Sequence, residues 1–192
     1  MQRTFKPANL VDPFPAPLGT PATCIYSSDL ALIRFKEAVQ TGTGRDALYI
    51  TERPYFIQYT MEDSDEVYGL TVPAGMLTDL ASVPWFARWL VGRVGRHLEA
   101  AIVHDFLYIA RRWEDDEIER ADKRRFADDL MRVAMRDAGV SGFVAWLVFV
   151  SVRLFGGIMS RPPTGDEFLD TRDPEVAARL HGDEGSLLEL RH

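Results

Sequence analysis

Nine residues, Ala100–Tyr108 (AAIVHDFLY), constrain this chain more than any others. They set a histidine and an aspartate side by side in an apolar run, with a tyrosine four places after the histidine. On a helix, positions i and i+4 share a face, so His104 and Tyr108 align. Asp105 then projects about 100° further round. Ala100, Ala101, Val103 and Leu107 suit a buried helix. A buried imidazole and carboxylate need polar partners, because unpaired polar burial costs roughly 2–7 kcal/mol. The run therefore requires a packed domain that supplies those partners. A satisfied core histidine and a working site both meet that requirement.

The flanking residues describe such a domain. Asp29–Lys36, Ala47–Thr51, Tyr55–Met61 and Val67–Val72 are short runs rich in β-branched and aromatic residues. Thr41–Gly44 and Glu62–Glu66 carry turn chemistry. Together they predict a small antiparallel sheet within residues 23–73. Val72–Pro84 (VPAGMLTDLASVP) reads as a structured loop. Asp79 and Ser82 there suit the cap of a short helix over 85–91. Helical spacing predicts three further helices, over 97–112, 118–138 and 143–155. Gly139 suits the stop of the second. The third is strongly apolar, but it is short and Arg153 interrupts it. It reads as a core helix, with docking to a membrane or partner as the alternative. Strands first and helices after predict an α+β fold rather than βαβ units.

The ends differ from this core. Residues 1–22 hold Pro7, Pro13, Pro15, Pro17 and Pro21 and read as an extended arm. Residues 160–192 form an acidic tail, with Leu187, Leu188 and Leu190 available to anchor its end. Three regions follow: the arm at 1–22, one α+β domain at 23–159 and the tail at 160–192. Neither end has enough apolar surface to offset about 1–2 kcal/mol of backbone entropy per residue. Both are expected to be ordered mainly by contact with other chains.

Composition narrows the function classes. A formal charge of −7 and a pI near 5.1 argue against binding nucleic acid through a broadly basic surface. One cysteine, Cys24, excludes an intrachain disulfide and a Cys-rich zinc site. The N-terminus lacks an apolar stretch of signal-peptide length, and no span is long enough to cross a bilayer.

Three pieces taken together resemble a known family: VPAGMLTDLASVP, AAIVHDFLY and RADKRRF, followed by an apolar helix ending in VRLFGG. The family, of unknown function, is common in tailed-phage and prophage genomes, and the resemblance covers roughly residues 45–157. Met76 stands where the family usually has an aromatic residue. The resemblance implies a phage protein, made in the host cytoplasm and carried in the virion. Its arm and tail would contact other phage structural proteins, and the host envelope is a further partner. A more distant resemblance concerns chemistry. HDFLY followed by an Asp-bearing helix looks like the catalytic helices of phospholipases A2. That resemblance implies His104 as base, Asp105 as a Ca²⁺ ligand, Tyr108 as an orienting phenol and Asp122 as the carboxylate partner of His104. Asp79 is a further candidate metal ligand. The chain lacks the Gly-rich calcium loop and the disulfides of those enzymes. Two expectations follow. In the first, the protein is a virion structural or adaptor protein whose His-Asp motif locks the fold and needs no cofactor. In the second, it is a virion-carried His/Asp hydrolase, with Ca²⁺ as its cofactor, acting on lipid or cell-envelope bonds during entry.

Overall fold

The computed structural model of the chain describes residues 11–35, 48–78, 97–155, 168–170, 173 and 187–190. The strands among these residues are β1 (Pro21–Tyr26), β2 (Leu30–Phe35), β3 (Leu48–Thr51), β4 (Tyr55–Met61), β5 (Ser64–Val72), β6 (Leu77–Thr78) and β7 (Leu187–Leu190). The helices among the described residues are α1 (His97–Ala110), α2 (Glu117–Asp137) and α3 (Gly142–Phe155), with a 3₁₀ turn at Arg111–Trp113. The fold is α+β, and the helix boundaries lie within a few residues of those expected.

The strands build two antiparallel sheets where one was expected. The first runs β1-β4-β5 and the second β6-β3-β2-β7. In β4, Tyr55, Ile57, Tyr59 and Met61 alternate inward, as period-2 patterning requires. β1 lies against the C-terminal half of α2. The Tyr26 hydroxyl donates to the Ala134 carbonyl at 2.8 Å, and the Cys24 amide donates to Asp137 Oδ2 at 2.8 Å.

The described parts of both ends pack on the chain's own domain. Phe14, in the arm, sits 9% exposed in the core with its ring edge-on to Phe126, centroids 5.9 Å apart. Beside it, Lys123 Nζ donates to Asp12 Oδ2 at 2.8 Å. In the tail, buried Phe168 bridges to Met76, and the Leu169 amide donates to the Gly75 carbonyl at 2.8 Å. β7 pairs with β2, Leu188 opposite Leu32. A few aromatic and leucine residues are enough to dock otherwise polar segments, because a sheet edge supplies ready backbone partners. The domain therefore draws on residues before 23 and after 159.

α2 starts on an Asp116 cap that accepts from the Ile118 and Glu119 amides. It ends at Gly139, with φ of 79° and amides of Ala138, Gly139 and Val140 closing on the last turn. α1 is the central helix, and every residue of it except Asp105 is buried. No described helix is long and apolar enough to cross a membrane.

Candidate active site: a histidine–aspartate pair across two helices

Burial of α1 on nearly all sides forces its polar residues to find partners on neighbouring elements. His104 and Tyr108 align as i and i+4, with ring centroids 4.1 Å apart. Both reach one carboxylate on α2. Asp128 Oδ1 lies 3.0 Å from His104 Nε2 and accepts the Tyr108 hydroxyl at 2.7 Å. Asp128 is fully buried, and His104 is 3% exposed.

Arginines surround the pair. Arg124, one turn before Asp128, donates through Nε to the Tyr108 hydroxyl at 3.2 Å. It also donates to the Val152 and Arg153 carbonyls at the end of α3, at 3.4 and 2.7 Å. Arg153 places Nε 3.5 Å from Asp128 Oδ2 and donates through Nη2 to Asp129 Oδ1 at 3.0 Å. The Arg111 guanidinium lies 4.5 Å from the Tyr108 ring centre. Three helices thus meet at one carboxylate.

A carboxylate accepting from Nε2 puts the imidazole proton on that nitrogen, leaving Nδ1 as a lone pair. Nδ1 is buried and, among the described residues, has no hydrogen-bond partner. Asp105 Oδ1 lies 4.0 Å from it. Burial holds the His104 pKa below the ordinary value, against an opposing pull from Asp128. The ring is therefore neutral at pH 7, with its unprotonated nitrogen on the side of Asp105. Burial and the Asp128 charge raise the Tyr108 pKa, so its phenol stays a proton donor. Asp105 Oδ2 accepts from the Thr78 hydroxyl of β6 at 2.7 Å, which ties α1 to the second sheet.

Of the expected site residues, His104, Tyr108 and Asp105 come together. Asp122 does not join them. It lies half-exposed on α2 and pairs with Arg125 at 3.3 Å, while Asp128 takes the position beside His104. The two aspartates stand six residues apart, so helical phase puts them about 240° from one another. Only Asp128 shares the inward stripe of Ala127 and Met131. That stripe was the available signal, an aspartate at helical spacing among buried positions. Arg124, Arg153 and Thr78 were not anticipated, because their roles depend on the packing between elements.

Asp79 lies outside the described residues, as does the segment expected to form a helix over 85–91. Calcium takes six to eight hard oxygens. Near Asp105 the described residues supply one carboxylate and the Thr78 hydroxyl, and no three of their His, Cys, Asp or Glu side chains gather as a metal site. No chemical step is assigned to a cation.

A family described as "Protein of unknown function (DUF1353)" matches residues 56–152. The chain belongs to this family. No curated protein and no solved structure matches it. The DUF1353 match runs from β4 into α3 and contains His104, Asp105, Tyr108, Arg124 and Asp128. Arg153 falls just beyond it, and β1, β2, β3 and β7 lie outside.

Proposed function

We propose that this DUF1353 domain carries a general-base hydrolytic site, in a protein borne by a tailed-phage or prophage particle. The observation that carries the reading is the His104 Nδ1 lone pair, buried and without a partner among the described residues while Nε2 is held by Asp128. A network built only to fix the fold gains nothing by leaving that acceptor unsatisfied. In the proposed step, Nδ1 takes a proton from water as the water oxygen bonds to an ester carbonyl carbon. Asp128 stabilises the imidazolium, and Tyr108 and Arg153 hold Asp128 in place. Collapse of the tetrahedral species breaks the ester bond, and the leaving alkoxide takes the proton back from Nδ1. The proposed access is past Asp105, the one residue of α1 that is not buried. Lipid and cell-envelope esters are the proposed substrates, and delivery by the particle would require no export signal.

A second reading is favoured by the near-complete burial of His104 and Asp128. Here the pair is a lock joining three helices in a virion adaptor, whose arm and tail bind neighbouring phage proteins. Substitution separates the two readings. His104→Gln is expected to abolish hydrolysis of phospholipid or cell-wall substrates while the urea midpoint stays near wild type. Asp105→Asn, assayed with added Ca²⁺ and with chelator, tests whether a cation contributes. A wild-type protein without hydrolytic activity, together with a His104→Gln variant that unfolds or blocks particle assembly, would establish the lock instead.

A further inference from the structure

We infer that the outer face of α3 is a docking surface for an anionic lipid bilayer. The helix is apolar apart from Ser151 and Arg153, and Ala145, Val148 and Val152 fill the side turned to the core. Its other side exposes Phe143 at 66%, Trp146 at 54% and Leu154 at 64%. These positions follow i, i+3 and i+11 and form one stripe, with half-buried Val150 between them. The Phe143 and Trp146 rings lie 6.5 Å apart, centre to centre. A helix face turned to water is ordinarily polar, and aromatic residues with leucine in that position mark an interaction site.

Charge beside the stripe selects the partner. Phe149 lies between two guanidiniums, Arg132 at 5.1 Å and Arg153 at 5.0 Å from its ring centre. Arg153 is paired with Asp129. Arg132 is exposed on α2, and among the described residues no carboxylate pairs with it. On a chain of net charge −7, Arg132 sets one guanidinium, unpaired among the described residues, beside the aromatic stripe. Trp and Phe at headgroup depth, flanked by Arg, match an interfacial helix that lies in the plane of the membrane. Arg132 adds attraction to anionic headgroups.

A second copy of the chain fits less well. Large apolar side chains offer about 150–250 Å² each, so three that are roughly 60% exposed present on the order of 400 Å². A stable protein interface needs about 800 Å² per partner. The inference stands apart from the His104 chemistry, because its test reads binding alone.

The test is flotation of the intact protein with vesicles of phosphatidylcholine, or of equal parts phosphatidylcholine and phosphatidylglycerol. The wild type is expected to float with the anionic vesicles and to be released by high salt. The Phe143→Ser/Trp146→Ser pair should weaken binding about tenfold or more. Arg132→Gln should reduce the preference for anionic vesicles about fivefold. If the double variant loses its fold by circular dichroism, Trp146→Gln alone is held to the same tenfold criterion. No flotation with either vesicle, or equal flotation of wild type and variants, overturns the inference. A dimer seen by sedimentation velocity and dissociated by Trp146→Gln would overturn it too, in favour of a second copy.

Discussion

Replacing Asp128 by alanine removes the one acceptor shared by His104 Nε2, at 3.0 Å, and the Tyr108 hydroxyl, at 2.7 Å. Both donors are then left buried, each costing about 1–3 kcal/mol. Arg153 is about one-third exposed and turns to water and Asp129, so it adds little. Relief of the buried carboxylate's own desolvation offsets part of the loss, and the range for breaking one side of a buried pair is about 3–5 kcal/mol. Asp128→Ala should therefore destabilise the domain by about 3–5 kcal/mol. With an m-value of about 2 kcal/mol per molar, the urea midpoint should fall by about 2 M. Asp128→Asn keeps an acceptor oxygen and should cost about 1 kcal/mol, while losing the charge that stabilises an imidazolium. Asp122→Ala, which removes only a solvent-screened pair with Arg125, should shift stability by less than about 0.5 kcal/mol. Urea unfolding followed by circular dichroism measures all three. A cost below about 1 kcal/mol for Asp128→Ala, or equal costs for Asp122→Ala and Asp128→Ala, would refute the assignment of the buried partner.

Three further outcomes are expected. The folded pKa of His104 lies below its unfolded value near 6.5, so the unfolded chain binds more protons as pH falls below about 6.5. Stability from this group is therefore complete above that pH and declines on acidification toward the folded pKa. The fall in urea midpoint between about pH 7.5 and 5.5 should be larger for wild type than for His104→Gln, and equal falls would contradict it. Burial, with the Asp137 and Glu99 charges, pushes the Cys24 thiol up to about 12. The native protein should resist a thiol-specific reagent near pH 8 and react only when unfolded, whereas rapid native labelling would show the thiol to be accessible. Phe14→Ala should cost about 2–4 kcal/mol by thermal or urea melting, because the ring packs on Phe126 at the edge of the core. A neutral substitution would mean that the arm is not part of the fold.

Much of the architecture was legible before any coordinates. Apolar spacing located α1, α2 and α3, Gly139 marked the end of α2, and aromatic and β-branched content marked β4 in YFIQYTM. These are local signals, set by backbone geometry within one or two turns of chain. The demand for a partner was local too: a histidine in an apolar helix needs a polar neighbour wherever the chain folds.

Which neighbour answers was decided only in three dimensions. Asp122 and Asp128 are the same residue type on the same helix, and the rotation of α2 against α1 turns one to solvent and the other to His104. Arg153 joins them because α3 packs back on α2, and Thr78 reaches Asp105 because β6 passes beside α1. The division of the strands into two sheets has the same origin. β7, from the far end of the chain, pairs with β2, and four residues carry no local mark of so distant a partner. Local sequence determined where helices and strands form and which side chains must be satisfied. Tertiary packing determined who satisfies them, because hydrogen-bond partners are chosen by the relative placement of elements, which no short stretch of chain encodes.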